Sequence, residues 1–315
     1  MKEENLVFIV SLPRSGSTYL QSLLSNNDEV NTCSEPWILL NYLNQIKPSL
    51  VQTEVNNQFA VDAFDHYRSM YPDFEFENLK KEYLLNLYSP MLKGHKYIID
   101  KTPRYWEILE EIRELFPNSK MLILKRNPVK VAESIFKTWN VDTLERMLIF
   151  KRDLLHGPFA IKSFEDKHAG KPTIYFLSYE KLINNTEIEV EKLYRWLGTP
   201  FDKDFLKVQN NRKVQGKYGD PFLNSELGYT AAKRKSDLIE LNNIQQKFLH
   251  GYADFLGEKF LSEYGNYIMA PQYSSKSFVF SHYLYKSDLN EPVSFNEKVN
   301  NLFRDNIYTI LKKIL

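Results

Sequence analysis

Five consecutive apolar residues, Leu6-Val7-Phe8-Ile9-Val10, run straight into Ser11-Leu12-Pro13-Arg14-Ser15-Gly16-Ser17-Thr18-Tyr19-Leu20. A short apolar run, closed by a glycine turn and followed by hydroxyl residues and leucine, reads as a strand covered on both faces, a tight turn and a helix. Backbone N–H groups and the positive end of the helix dipole then converge on one spot, which makes a phosphate seat. Pro13 stiffens the turn, Arg14 supplies a planar fork of donors, and the hydroxyls of Ser17 and Thr18 are placed to bind phosphate oxygens. The plainer alternative is an ordinary strand-to-helix turn with a Ser/Thr cap. The G-x-x-x-x-G-K-[ST] loop of ATPases and kinases does not fit, because Ser17 stands in the lysine position and Ser11 in that of the first glycine.

Further short apolar runs, Tyr97-Ile98-Ile99, Met121-Leu122-Ile123-Leu124 and Thr173-Ile174-Tyr175-Phe176-Leu177, alternate with helical stretches. This is the pattern of an α/β fold with a parallel sheet. Trp106, Leu109, Ile112 and Phe116 share one face of a helix expected over 105–116, stopped by Pro117-Asn118. A second helix is expected over 186–197, opened by a Thr186-x-x-Glu189 capping box and closed by Gly198 and Pro200. Residues 47–96 read as helices and loops inserted between the first and second strands, where an insert shapes a substrate pocket. One domain over 1–269 is expected, followed by a C-terminal extension over 270–315. Residues 270–297 have no period, and Val299, Leu302, Phe303, Ile307, Ile310, Leu311 and Ile314 recur at helical spacing. That amphipathic helix is expected to dock on its own domain or on a second protomer, giving a homo-oligomer; membrane-surface binding is the alternative.

Composition narrows the function. The 315 residues carry 41 Lys and Arg against 40 Asp and Glu, so no bulk basic field gathers nucleic acid, and any anion site is local. The single cysteine, Cys33, excludes an intrachain disulfide framework, and the six histidines show no metal-ligand spacing, so no metal is expected. The longest apolar run, Leu6 to Val10, is far below the roughly 20 residues of a membrane span, and it is too short for a secretory signal. A cytoplasmic location is the resulting expectation.

A second anion seat follows the third apolar run. In Lys125-Arg126-Asn127-Pro128-Val129-Lys130-Val131-Ala132-Glu133-Ser134, Pro128 opens a helix that carries Ser134 about two turns along. Arg126 and Ser134 are expected to converge on one anion; a surface ion pair of Arg126 is the alternative.

At this point the chain resembles the sulfotransferase family that uses 3′-phosphoadenosine 5′-phosphosulfate (PAPS). The family's P-[RK]-S-G-[ST]-[ST] loop is matched by Pro13 to Thr18, and its R-[DN]-P-x-x-x-x-x-S segment by Arg126 to Ser134. Ser178-Tyr179-Glu180-Lys181-Leu182 is similar to the family's Y-E-[DK]-L stretch, and the likeness covers roughly residues 6–235 in the family's order. The resemblance implies a three-layer P-loop-like fold, with a central, mainly parallel sheet flanked by helices. It also implies in-line sulfuryl transfer from PAPS as co-substrate. Arg14, Ser15, Gly16, Ser17 and Thr18 would hold the 5′ end, Arg126 and Ser134 the 3′-phosphate, and Tyr179 would lie near the adenine. Lys217, in a late loop, would add to the 3′ seat.

For catalysis the resemblance divides. Members acting on phenols and steroids carry a histidine two residues after a lysine, whereas Asp100-Lys101-Thr102-Pro103-Arg104 has proline there. Glu35 instead lies 21 residues after Arg14, where protein-tyrosine sulfotransferases place a glutamate base. Glu35 is therefore expected as general base, with an N-cap or an ion pair to Arg14 as its structural alternative. Lys101 and Arg14 are expected to offset charge on the leaving phosphate. Arg104 either binds acceptor or makes a structural pair. Cys33 is expected to be a small buried hydrophobe, and Trp37, Trp106, Trp139 and Trp196 core residues, with Trp37 and Trp139 as alternative pocket walls. The acceptor stays open among small molecules, carbohydrates, lipids and peptides. A phosphotransferase and a non-catalytic nucleotide-binding protein remain the alternative functions.

Overall fold

The structure is a computed structural model that describes residues 1–54, 57–207, 214, 218, 220, 238–264 and 278–287. Five strands form one wholly parallel sheet: β1 (Leu6–Ser11), β2 (Val30–Thr32), β3 (Tyr97–Lys101), β4 (Lys120–Lys125) and β5 (Ile174–Ser178), in the order β2-β3-β1-β4-β5. The four apolar runs of the sequence are β1, β3, β4 and β5. The short edge strand β2 has no apolar run to announce it, because Asn31 and Thr32 give it a polar composition. The insert therefore lies between β2 and β3, not between the first and second strands.

Helices cover both faces of the sheet, giving three layers. They are α1 (Ser17–Ser25), α2 (Leu43–Ile46), α3 (Asn57–Ser69), α4 (Phe76–Leu92), α5 (Leu109–Leu115), α6 (Pro128–Thr138), α7 (Leu144–Met147), α8 (Lys151–Leu155) and α9 (Gly157–His168). Beyond β5 follow α10 (Tyr179–Asn184), α11 (Thr186–Leu197), α12 (Asn243–Leu256), α13 (Glu258–Tyr264) and α14 (Phe278–Ser287). On one face Val7 and Ile9 of β1 meet Leu20, Leu23 and Leu24 of α1 and Val190 and Leu193 of α11. On the other, Leu6, Phe8 and Val10 meet Tyr88 of α4, Ile112 of α5, Ile135 of α6 and Phe164 of α9. Alternate β1 side chains thus feed two cores, which is why the run is apolar throughout and not at every second position.

The helix read over 105–116 is a 3-10 turn over Pro103–Ile108 continued by α5, and its expected face, Trp106, Leu109, Ile112 and Phe116, is buried. The capping box at Thr186 does not form. Asn185 is the N-cap, because α10 runs almost directly into α11, and the Thr186 hydroxyl donates back to Leu182 O at 2.8 Å. Gly198, at φ 75°, ends α11 as expected. Within the stretch that has no period lies α14, whose Phe280 and Tyr283 rings pack on Phe248 of α12 with centroids 5.2 and 4.7 Å away. The amphipathic segment from Val299 to Ile314 and Lys217 lie outside the described residues. No helix among the described residues is long and apolar enough to cross a membrane.

From β1 the chain turns to the β2 and β3 side and afterwards crosses to β4 and β5. The carboxyl ends of β3, β1 and β4 therefore flank a topological switch point, where an open parallel sheet leaves a crevice for ligand.

Candidate active site

At the end of β1 the turn holds two residues in the left-handed region, Arg14 at φ 63° and Gly16 at φ 90°. Glycine is needed at the second for a further reason. A Cβ on Gly16 would stand 2.5 Å from the Tyr179 ring, so the turn and the start of α10 approach closely. Gly16 is also the N-cap of α1, and no side chain caps that helix, which disposes of the Ser/Thr-cap reading. Ser17 and Thr18 occupy the first turn, both buried. The Ser15 hydroxyl is buried without a hydrogen-bond partner among the described residues. An uncapped helix start beside an unsatisfied buried hydroxyl suits an anion that supplies acceptor oxygens.

Lys101 ends β3, in register with Ile9 of β1, and is 1% exposed. Its Nζ donates to Glu35 Oε1 at 2.7 Å and to Thr18 Oγ1 at 3.3 Å. One ammonium thus touches both the start of α1 and the candidate base. Glu35 is paired to Lys101 and neither caps a helix nor bonds Arg14. Its second oxygen accepts from Trp37 Nε1 at 3.2 Å. Trp37 is held at φ 53°, an uncommon conformation for a bulky residue, and its ring lies 6.2 Å from that of Tyr218.

Arg126 follows β4 and stacks over the Tyr179 ring at 4.5 Å, while its Nη1 donates to Arg14 O at 2.7 Å. The turn after β1, the β4 end and the β5 end are thereby joined. Asn127 caps α6 by accepting from Val129 and Lys130 N–H, which fixes the helix carrying the half-buried Ser134. The Arg14 guanidinium pairs with Asp220 at 2.8 Å and lies 5.7 Å from the Trp139 ring. Trp139 is 39% exposed and stacks on Phe150, so it is no core residue; it borders the site through Arg14.

Other expectations resolve simply. Arg104 makes the structural pair, with Asp153 at 2.8 Å, and Trp106 Nε1 donates to the same carboxylate. Burial pushes the Asp153 carboxyl above the usual aspartate range, against the pull of Arg104. Cys33 is partly buried, and burial, aided by the charge of Asp100, pushes its thiol up to about 11. No group of His, Cys, Asp and Glu among the described residues is arranged to hold a metal.

The sequence reading missed Asp100. Next to Lys101 but directed to the other side of β3, its carboxylate is 1% exposed. Tyr88 OH and Tyr105 OH donate to Oδ2 at 2.7 and 2.8 Å, and Thr102 Oγ1 to Oδ1 at 2.8 Å. Burial raises its pKa, and the three hydroxyls oppose that shift. The signal was present: an acid inside a strand covered on both faces must find donors.

The sequence profile of the sulfotransferase family matches residues 6–203. Nodulation protein NoeE of Sinorhizobium fredii (strain NBRC 101917 / NGR234) is 29% identical over 156 residues, 43% of this chain and 32% of its own length. Protein-tyrosine sulfotransferase A of Caenorhabditis elegans is 22% identical over 242 residues, 74% of this chain and 57% of that protein. The chain therefore spans less than two thirds of either curated relative. The solved sulfotransferase domain from the curacin biosynthetic pathway aligns over 81% of this chain and 98% of its own, with TM-score 0.50 and 19% identity, a likeness of fold.

Proposed function

The chain belongs to the sulfotransferase family, and from that premise we propose that it moves the sulfuryl group of PAPS in line to a hydroxyl acceptor, with Glu35 as general base. The observation that carries this reading is the Lys101 ammonium, set between Thr18 of the phosphate turn and the Glu35 carboxylate. A donor seated on the turn meets the lysine from one side, and an acceptor beside Glu35 meets it from the other.

PAPS supplies an activated sulfuryl group and a phosphate leaving group. The uncapped start of α1 and the Ser15 hydroxyl hold its 5′ end, and Arg126, stacked on Tyr179 beside the adenine, holds the 3′-phosphate together with Ser134. Arg14 exchanges Asp220 for the 5′ group, and Lys217 joins the 3′ seat. As the acceptor oxygen bonds to sulfur, its proton passes to Glu35, and the bond from sulfur to the 5′-phosphate oxygen breaks. Lys101 offsets the charge that appears on that oxygen from a position already fixed by burial, so little reorganisation is required. Lys101 at the end of β3 and Glu35 in the segment after β2 face both partners, which is the positional part of the rate enhancement. Acceptors remain open among small molecules, carbohydrates, lipids and peptides; the protein is read as working in the cytoplasm, without metal.

The test is sulfur-labelled PAPS incubated with a panel of hydroxyl acceptors of these four classes. Wild type is expected to label at least one, and Glu35→Gln to label it about 10²- to 10⁴-fold more slowly. Undiminished labelling by Glu35→Gln would remove Glu35 as the base. Mg²⁺-dependent consumption of ATP, with no labelling, would favour a phosphotransferase instead.

A further inference from the structure

The segment that carries Glu35 is tied down at both ends, and neither tie belongs to the donor seat. At its start, Gln21 of α1 donates from Nε2 to Thr32 Oγ1 at 2.6 Å and to Cys33 O at 2.7 Å, and Thr32 Oγ1 donates to Ile99 O of β3 at 2.9 Å. At its far end, Leu39 N–H donates to the Tyr105 hydroxyl oxygen at 3.0 Å, and Tyr105 OH donates in turn to Asp100 Oδ2 at 2.8 Å. Gln21, Leu39, Asp100 and Tyr105 are all at most 1% exposed. Between the ties stand Glu35 and the left-handed Trp37, which donates to Glu35.

We infer that Tyr105 and Asp100, with Gln21 at the opposite end, are positioning residues that hold the 33–39 segment so that the Glu35 carboxylate meets Lys101. The case rests on three points. A carboxylate buried in the core beside Tyr88 and Tyr105 costs desolvation free energy that an apolar side chain would avoid, so a network built on it is a poor device for stability alone. Asp100 and Lys101 are neighbours on one strand with side chains on opposite sides. Lys101 therefore takes Glu35 directly, while Asp100 reaches the same segment from behind through Tyr105. Finally, Tyr88 gives Asp100 a second hydroxyl on the same oxygen, which fixes the carboxylate and so the direction in which Tyr105 presents its lone pair to Leu39. A backbone position at φ 53° persists only where its surroundings over-determine it, and these two ties are those surroundings.

The inference rests on Glu35 as base, and its test separates the two. The chain has four tryptophans, so the indole N–H signals of the nitrogen-labelled protein are few, and Trp37→Phe assigns the one that reports Glu35. Tyr105→Phe keeps the ring against Phe8 and removes only the hydroxyl. It is expected to shift the Trp37 signal and to slow labelling from PAPS at least about tenfold, with affinity for 3′,5′-bisphosphoadenosine unchanged. Tyr252→Phe removes a comparable buried hydroxyl, which donates to Leu154 O at 2.6 Å and bonds neither the segment nor Asp100, and is expected to lower the thermal midpoint without moving the Trp37 signal. Should Tyr105→Phe fail to fold, Gln21→Met releases the opposite tie and is expected to give the same shift. A Trp37 signal or a labelling rate at the wild-type value in the folded variant overturns the inference. If wild type labels nothing, the reading of Glu35 as base fails, and the Trp37 signal alone still decides whether these residues position it.

Discussion

Gly16 shows how much one residue is asked to do. It supplies φ 90°, starts α1 without a side-chain cap, and leaves room for the Tyr179 ring. Gly16→Ala therefore meets strain and a clash together, and is expected to cost about 1–3 kcal/mol in denaturant unfolding, most of it from overpacking against Tyr179. A loss near zero would mean that the ring moves freely, and with it the Arg126 stack. Arg14 to Thr18 and Arg126 could be singled out because they stand at strand ends that the apolar runs mark, whereas Lys101 and Tyr179 entered only through the family resemblance. The partners were not legible. Glu35 was readable only as a position in a motif, and its grip on Lys101 is a contact between residues 66 positions apart. That Arg14 meets Asp220 was equally hidden, across 206 positions.

At the scale of elements, consecutive apolar residues identified four of the five strands because a strand covered on both faces must be apolar throughout. β2 escaped because an edge strand of three residues needs no such run. Thr186 and Glu189 had the spacing of a capping box, and the nearness of α10 displaced the cap by one residue. The start of α9 carries a pH effect. His156 is its N-cap residue and is half-buried; burial, then the charges of Arg152 and Lys151, lowers its pKa below the ordinary 6.5. The unfolded chain takes up this proton before the folded one does. The contribution to stability is therefore complete above about pH 6.5 and is lost as pH falls through the lower folded value. Thermal scans from about pH 8 to pH 5 should show a decline that His156→Gln flattens. An equal decline in the variant would assign it to other groups.

For the whole molecule, a net charge of +1 has to be reconciled with the proposed site for a nucleotide carrying several negative charges. The parallel order β2-β3-β1-β4-β5 explains this, because it brings the ends of four strands to one crevice and each contributes one device. β1 gives the uncapped helix start, β3 gives Lys101, β4 gives Arg126 and β5 gives the Tyr179 platform. Fields so placed act over a few ångströms and need no basic surface. Titration calorimetry with 3′,5′-bisphosphoadenosine tests this arrangement most directly, since it requires no knowledge of the acceptor. The account predicts binding by wild type, at least about tenfold weaker binding by Arg126→Ala, and binding near the wild-type value by Glu35→Gln, because the Glu35 carboxylate is proposed to face the acceptor and not the nucleotide. No heat of binding with the wild-type protein, or equal affinity in Arg126→Ala, would contradict it.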